Sequence, residues 1–118
     1  MLTEKDYCDY DTCVALKELD FNYLVDWYFN EDKRIVSSLA RYRNTYIPRI
    51  SLYEAQKWLR EEKHLHIEVR WYCNMWYEYE VKEAEGKVLA EGSAFKTYEE
   101  ALSTAIYMAT EHLKEEKL

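Results

Sequence analysis

Hydrophobic and polar residues alternate strictly in two neighbouring runs in the second half of the chain. The first run has apolar side chains at every second position: Leu65, Ile67, Val69, Trp71 and Cys73. The second run continues the pattern with Tyr77, Tyr79 and Val81. Alternation with a period of two is typical of a β-strand that buries one face. The break at Asn74-Met75 therefore predicts an antiparallel hairpin whose odd-numbered residues face the core.

Helical periodicity appears on both sides of this hairpin. Ser51 and Glu54 form a capping box, which predicts an amphipathic helix over about 51–62. Thr97 and Glu100 repeat that signature before the last helix. The predicted core face of the last helix consists of Tyr98, Ala101, Leu102, Ala105, Met108, Ala109 and His112.

A third strand completes the predicted sheet. Glu85-Gly86 marks a turn, and residues 88–95 supply the strand, with Gly92 as a candidate β-bulge. The order of elements over 48–118 is then α-β-β-β-α, with a three-stranded antiparallel sheet and both helices on one face. A one-residue slip would turn Glu68 toward the core, so the alternation specifies the register. The predicted fold class is α+β.

The segment before this body is predicted to form a short helix and a small hairpin. Apolar residues at helical spacing predict the helix over 11–19, with Asp20 ending it in the left-handed conformation. Residues 25–29 and 34–38 then form the two strands of the hairpin. After a loop, Pro48 marks the boundary with the body, because the residue before a proline disfavours helix.

Length and composition favour one domain without flexible linkers. The chain has 118 residues, of which 48% are hydrophobic and 33% charged, with 2 glycines and 1 proline. We therefore predict a single domain over 1–118, in which 1–47 is a helix-plus-hairpin extension and 48–118 is the α-β-β-β-α body.

The charge and the cysteines bear on partners and on compartment. A formal net charge of −7 repels nucleic-acid phosphates and anionic membrane surfaces. There is no long apolar run and no basic-then-apolar leader, so we expect neither a transmembrane helix nor a signal peptide. The three cysteines, Cys8, Cys13 and Cys73, fit no disulfide framework. Reduced thiols are typical of intracellular proteins, so a cytoplasmic location is predicted.

Histidines and cysteines are the candidate metal ligands and nucleophiles. On a strand His64 and His66 would point to the same side and, with Cys73, suggest a metal site, but no second ligand pair stands at metal spacing. A Cys–His nucleophilic pair is formally available, yet the spacing favours Cys13 and Cys73 as small buried hydrophobic residues. A glycine-rich phosphate loop and a nucleophile elbow are both absent from the sequence. The sequence therefore predicts no metal, no cofactor and no enzymatic activity.

Aromatic residues are the compositional oddity of the chain, which has 12 tyrosines and 4 tryptophans. Tyr72 and Trp76 fall on the even-numbered row of the hairpin, beside Arg70 and Glu78. Tyrosine and tryptophan anchor many protein interfaces, so these four residues form the candidate protein-binding site. Two interpretations stay open: the N-terminal half packs over this row, which we favour, or the row binds a partner. That partner is another protein or a second copy of this chain.

The order of the elements resembles a known RNA-binding fold. The α-β-β-β-α order, with the stretch EGSAFKTYEEA at 91–101, is similar to the double-stranded-RNA-binding domain. That family grips phosphate with lysines at the start of its last helix, where this chain has Glu99 and Glu100. Its minor-groove histidine lies in the loop that corresponds to Cys73-Asn74-Met75-Trp76 here. The resemblance implies the topology, while the two glutamates argue against RNA binding.

A second resemblance covers most of the chain. The segments ALKEL at 15–19, YEAQKWLRE at 53–61, LHIEV at 65–69 and TYEEAL at 97–102 resemble small uncharacterised proteins of Bacteroides-group gut bacteria and their phages. Asp20 stands where those proteins usually have glycine. The family implies no activity of its own.

Two functions follow as expectations. The first is a non-catalytic intracellular protein-interaction module of a phage or mobile element, which fits the aromatic hairpin and the second resemblance. The alternative is an acidic decoy that inhibits a host nucleic-acid-processing enzyme, which predicts that the carboxylates gather in one stripe.

Overall fold

The computed structural model describes residues 2–39, 43–72 and 76–116, which form an α+β fold as predicted. After a 3₁₀ helix at Glu4–Asp6, the elements in chain order are α1 (Tyr10–Glu18), β1 (Trp27–Phe29), β2 (Ile35–Ser37), β3 (Ile47–Pro48), α2 (Leu52–Lys63), β4 (Leu65–Tyr72), β5 (Trp76–Glu83), β6 (Val88–Phe95) and α3 (Tyr98–Glu116). The strands form two antiparallel three-stranded sheets, ordered β2-β1-β3 and β4-β5-β6.

The register of the β4–β5 hairpin is the one that the alternation predicts. Leu65 lies opposite Glu83 and Tyr72 lies opposite Trp76, so the odd-numbered side chains share one face. The buried residues of that face are Leu65, Ile67, Tyr79 and Val81. Helix α2 packs against β4 and α3 against all three strands, within one core, which confirms that both helices lie on one face. The predicted turn residues 74–75, together with Cys73, lie outside the described residues.

Strand β6 carries a bulge beside Gly92. Tyr79 lies opposite Gly92 and Tyr77 lies opposite Phe95, so β6 holds an extra residue between these two pairs. Ala94 takes up the distortion with a φ of 70°. The bulge predicted at Gly92 therefore begins just after it.

The capping box predicted for α2 is present, and for α3 the Thr97 half of the predicted box is observed. Ser51 Oγ accepts a hydrogen bond from the Glu54 amide at 3.0 Å, and Glu54 Oε1 accepts one from the Ser51 amide at 3.3 Å. These reciprocal bonds complete the capping box. Thr97 Oγ1 accepts a hydrogen bond from the Glu100 amide at 3.1 Å. Both helices therefore begin where the sequence predicts.

The buried face of α3 differs from the predicted one. Ile106 and Thr110 are fully buried, whereas the predicted core residues Tyr98 and Met108 are 42% and 37% exposed. Helix α3 packs against α1 as well as against α2 and the sheet. Because α1 covers a second side of α3, the buried stripe turns toward Ile106 and Thr110.

Helix α1 begins and ends one residue earlier than predicted. The Asp9 carboxylate caps it by accepting a hydrogen bond from the Thr12 amide at 2.8 Å. At the other end Asp20 adopts a φ of 72°, and the Phe21 amide donates to the Leu16 carbonyl at 3.0 Å. This is the pattern of a Schellman motif, with aspartate in the usual place of glycine.

The predicted N-terminal hairpin is present and gains a third strand. Strands β1 and β2 lie within the predicted ranges, and β3 pairs with the other edge of β1. The sequence did not predict β3, because two residues are too few to show an alternation. Pro48 is tolerated there because β3 is an edge strand. Residues 40–42 lie outside the described residues.

Residues of both halves share one hydrophobic core. Leu16 and Phe21 lie in the same cluster as Trp58 and Ile106. Trp58 is 1% exposed, its ring centroid lies 5.5 Å from that of Phe21, and its Nε1 donates to Asn22 Oδ1 at 3.2 Å. The N-terminal half therefore packs on the helix side of the β4-β5-β6 sheet.

Candidate protein-binding face

The outer face of the β4-β5-β6 sheet is the side that turns away from α2 and α3. On β4 and β5 it consists of the even-numbered residues His66, Glu68, Arg70, Tyr72, Trp76, Glu78, Glu80 and Lys82. The N-terminal half packs on α3 instead, so the favoured interpretation, in which it covers this row, is wrong. Arg70 is exposed, while Tyr72, Trp76 and Glu78 are half-buried. The four predicted site residues therefore share one face and occupy successive positions of the ladder.

Arg70 is the centre of an ionic network on the outer face. Its guanidinium lies 2.7 Å from Glu80 and 3.2 Å from Glu78. Glu68 lies 3.4 Å from both Arg70 and Lys82. Partial desolvation opposes the charged form of Arg70, but the attraction of the three carboxylates outweighs it and raises the pKa of Arg70.

This network determines the charge pattern of the outer face more than the stability of the fold. Its ion pairs are partly exposed to solvent, and such pairs contribute little to the free energy of unfolding. Their effect is to hold acidic and basic side chains in alternation. The outer face is therefore not the single stripe of carboxylates that an acidic decoy would need.

The β4–β5 hairpin ends in aromatic residues, of which Trp71 is exposed and Tyr72 and Trp76 are half-buried. Tyr72 and Trp76 are the last pair of the ladder and neighbour each other on the outer face. On the opposite face Trp71 is 64% exposed, and Tyr77 packs edge-on against Tyr98, with ring centroids 6.1 Å apart. We call Trp71, Tyr72 and Trp76 the aromatic end of the hairpin.

Trp71 is a residue that the sequence pattern assigned to the core, and that assignment is wrong. Strand β4 has 8 residues and spans about 26 Å, whereas α2 has 12 residues and is about 18 Å long. Helix α2 is shorter than the strand, and the odd-numbered row is covered at Ile67, which is 8% exposed, but open at Trp71. Because α3 also packs against β4, the lengths of α2 and β4 alone do not determine where this cover ends, and the sequence offers no direct signal for the exposure of Trp71.

A separate cleft of about 720 Å³ lies between the N-terminal segment and the start of α3. Tyr7, Arg49, Glu99 and Glu100 are among its lining residues. The guanidinium carbon of Arg49 lies 3.8 Å from the centre of the Tyr7 ring, which is a cation–π contact. The two glutamates that distinguish this chain from the double-stranded-RNA-binding domain therefore face a cavity of mixed charge.

Cys8 and Cys13 contact each other beside this cleft. Cys8 precedes the Asp9 cap of α1 and Cys13 lies one turn into the helix, two positions that pack together at many helix starts. The Cys13 sulfur accepts a hydrogen bond from the Ile50 amide at 3.5 Å. The hydrogen bond between the two thiols, with burial, raises the pKa of Cys8, and the same bond lowers the pKa of Cys13. Cys13 is 0% exposed, which confirms its predicted burial.

The histidines do not form the pair that the sequence suggested. His64 ends α2 with a φ of 57° and precedes β4, so it does not share a side of the strand with His66. His112 is half-buried on α3, where its Nε2 lies 3.0 Å from Glu116 Oε1. Glu83 joins them, so that one ligand atom from each of these three residues lies within 4.8 Å of the others. Among the described residues, this is the one trio of potential metal ligands that lie so close together.

The chain gives no significant match to any protein-family model, curated protein or solved structure. Within the described residues, no helix combines the length and the apolar character needed to cross a membrane. The role of the outer face is therefore inferred from the exposure and the chemistry of its own residues.

Proposed function

We propose that this chain is a non-catalytic, intracellular protein-interaction module of a phage or mobile element, and that it binds another protein through the aromatic end of the hairpin. The observation that carries the proposal is the 64% exposure of Trp71 at the end of the hairpin where Tyr72 and Trp76 form the last pair on the other face. Exposed aromatic side chains are effective anchors, because they bury much apolar area with few rotatable bonds. The resemblance to small proteins of Bacteroides-group bacteria and their phages supports the genetic setting.

The proposed partner is a protein with an apolar pocket for Trp71 inside a basic rim. The net charge of −7 attracts a basic surface at long range. Arg70 and Glu78, paired at 3.2 Å, border the aromatic end and offer polar groups that are already ordered. A specific interface buries about 800 Å² on each partner, so the aromatic end needs these neighbouring residues of the outer face as well.

The non-catalytic part of the proposal is supported by the burial of two of the candidate nucleophiles. Cys8 and Cys13 are 4% and 0% exposed, so neither thiol is accessible to a substrate as a nucleophile. On the outer face the carboxylates are engaged by Arg70 and Lys82. Among the described residues, the exposed group at this end of the hairpin that is left without an ionic partner is the Trp71 ring, on the opposite face of the sheet.

Trp71→Ala and the matched control Tyr53→Ala test the proposal. Tyr53, on α2, is 66% exposed, so each substitution removes a large exposed ring without opening the core. A partner captured from the native host with the full chain would be purified, and the Kd of each variant measured by calorimetry. Trp71→Ala should weaken the Kd at least about tenfold, because truncated anchors cost about 1–2 kcal/mol or more. Tyr53→Ala should bind like the unchanged protein.

The same pair of variants separates the possible outcomes. Equal affinity of both variants for the partner would overturn the aromatic end as the binding site. A dimer in light scattering that Trp71→Ala dissociates would replace the basic partner by a second copy of this chain. A monomeric protein that captures no specific partner would count against the proposed function as a whole.

A further inference from the structure

Glu83, His112 and Glu116 converge where β5 and α3 end. His112 and Glu116 are four positions apart on α3, so they lie one turn apart on the same side of the helix. Their side chains meet at 3.0 Å between Nε2 and Oε1. Glu83 is the last residue of β5 and brings a carboxylate from the sheet to within 4.8 Å of both.

This cluster holds more negative charge than its protein contacts offset. Two carboxylates meet one imidazole, which carries at most a single positive charge. Among the described residues, no lysine or arginine forms an ion pair with Glu83 or Glu116, and Lys114 pairs with Glu111 instead. The carboxyl end of α3 adds the negative end of the helix dipole. A bound cation would remove this imbalance.

We propose that Glu83, His112 and Glu116 form a divalent-metal site whose preferred ion is Zn²⁺. One imidazole nitrogen and two carboxylate oxygens are a ligand set that zinc accepts, with water in the remaining position. The His112 and Glu116 side chains are 28% and 59% exposed, so the site is shielded on the His112 side and open toward solvent at Glu116. The ion would join the end of α3 to the end of β5.

The proposed metal site lies apart from the proposed protein-binding residues. Glu83 is opposite Leu65 at one end of the β4–β5 ladder, whereas Tyr72 and Trp76 form the pair at the other end. Zinc would therefore stabilise α3 on the sheet without covering the aromatic end. A failure of the zinc-binding test would therefore leave the proposed protein-binding site untouched, and a failure of the partner-binding test would leave the zinc site untouched.

Calorimetric titration of zinc chloride into the reduced full chain tests the proposal. Every protein would carry Cys73→Ser, which removes a competing thiol ligand. Glu83→Gln and His112→Ala should each weaken the Kd for zinc at least about tenfold, since the loss of a residue that only supports a ligand costs about 10–100-fold. His66→Ala removes an exposed histidine outside the site and should leave the Kd unchanged.

Two further measurements keep the test decisive if one variant is poorly folded. Glu116→Gln changes a mostly exposed side chain and should weaken zinc binding like the other two substitutions. Zinc should raise the Tm of the His66→Ala protein but not that of the Glu83→Gln protein. Absence of zinc binding, or an equal Kd in all four variants, would overturn the site.

Discussion

The ring of Tyr79 lies so close to Gly92 on the neighbouring strand that an added methyl group would overlap it. A Cβ built on Gly92 falls 2.6 Å from Cε2 and 3.2 Å from the hydroxyl oxygen of Tyr79. Tyr79 is 5% exposed, and its ring packs 5.7 Å from that of Phe95. Glycine is therefore required at position 92 because any side chain there would occupy the space of the Tyr79 ring.

Gly92→Ala should lower the free energy of unfolding by about 1–3 kcal/mol, because the added methyl group displaces a packed ring. Urea denaturation followed by circular dichroism measures this loss. Ser93→Ala, on the exposed neighbouring residue, is the control and should change stability by less than about 0.5 kcal/mol. Combining Gly92→Ala with Tyr79→Leu should cost less than the sum of the two single losses, and strict additivity would contradict the contact.

Asp20→Gly should stabilise the protein. Asp20 holds a φ of 72° after α1, a conformation that costs glycine little, so the free energy of unfolding should rise by up to about 1 kcal/mol. Asp11→Gly, inside α1 and also exposed, is the control and should lower it by about 0.5–1 kcal/mol. Thermal denaturation compares the two variants, and a lower Tm for Asp20→Gly would contradict the Schellman motif.

Asn22→Ala should destabilise the protein through Trp58. The Trp58 Nε1 group donates to Asn22 Oδ1 at 3.2 Å, and loss of that acceptor from a part-buried donor costs about 1 kcal/mol. Asn22→Asp keeps an acceptor oxygen and should lose less. Trp58→Ala, which empties the site of a fully buried ring, should cost about 3–5 kcal/mol. Urea denaturation that finds Asn22→Ala as stable as the unchanged protein would exclude this role of the hydrogen bond.

Cys8 and Cys13 should resist alkylation as long as the protein is folded. The raised pKa of Cys8 leaves a smaller thiolate fraction at any pH below it. Cys13, whose pKa is lowered, is 0% exposed and so cannot meet the reagent. Iodoacetamide followed by mass spectrometry, in the Cys73→Ser protein, should label both residues only after denaturant is added. Rapid labelling of both in native buffer would show that this end of α1 opens.

The β4–β5 hairpin could be predicted because the alternation of its apolar residues directly reflects which side chains face the helices. Leu65 and Val81 are apolar because they face the helices, and a slip of one residue would expose both. Trp71 lies in the alternating pattern of a strand and Ile106 in a helix, but the exposure of each side chain depends on elements that are distant in the sequence. The exposure of Trp71 depends on how α2 and α3 lie on the sheet, and the burial of Ile106 depends on the contact of α1 with α3.

The candidate site, likewise, could be predicted only in part from the sequence. Alternation places Tyr72 beside Trp76 and Arg70 opposite Glu78, as the ladder does. It does not reveal which side of the sheet the N-terminal half occupies, because that depends on packing between separate elements. The proximity of Glu83 to His112 could not be predicted for the same reason, since β5 and α3 are brought together only by the tertiary fold.

The packing of α1 against α3 has a consequence for how the chain folds during synthesis. Leu16 and Ile106 are both fully buried in one core, yet α1 leaves the ribosome long before α3 is made. Until α3 follows, the nascent chain exposes the apolar side of α1, the kind of surface that chaperones recognise. The core can therefore close around α1 only after α3 has been synthesised and packs against it.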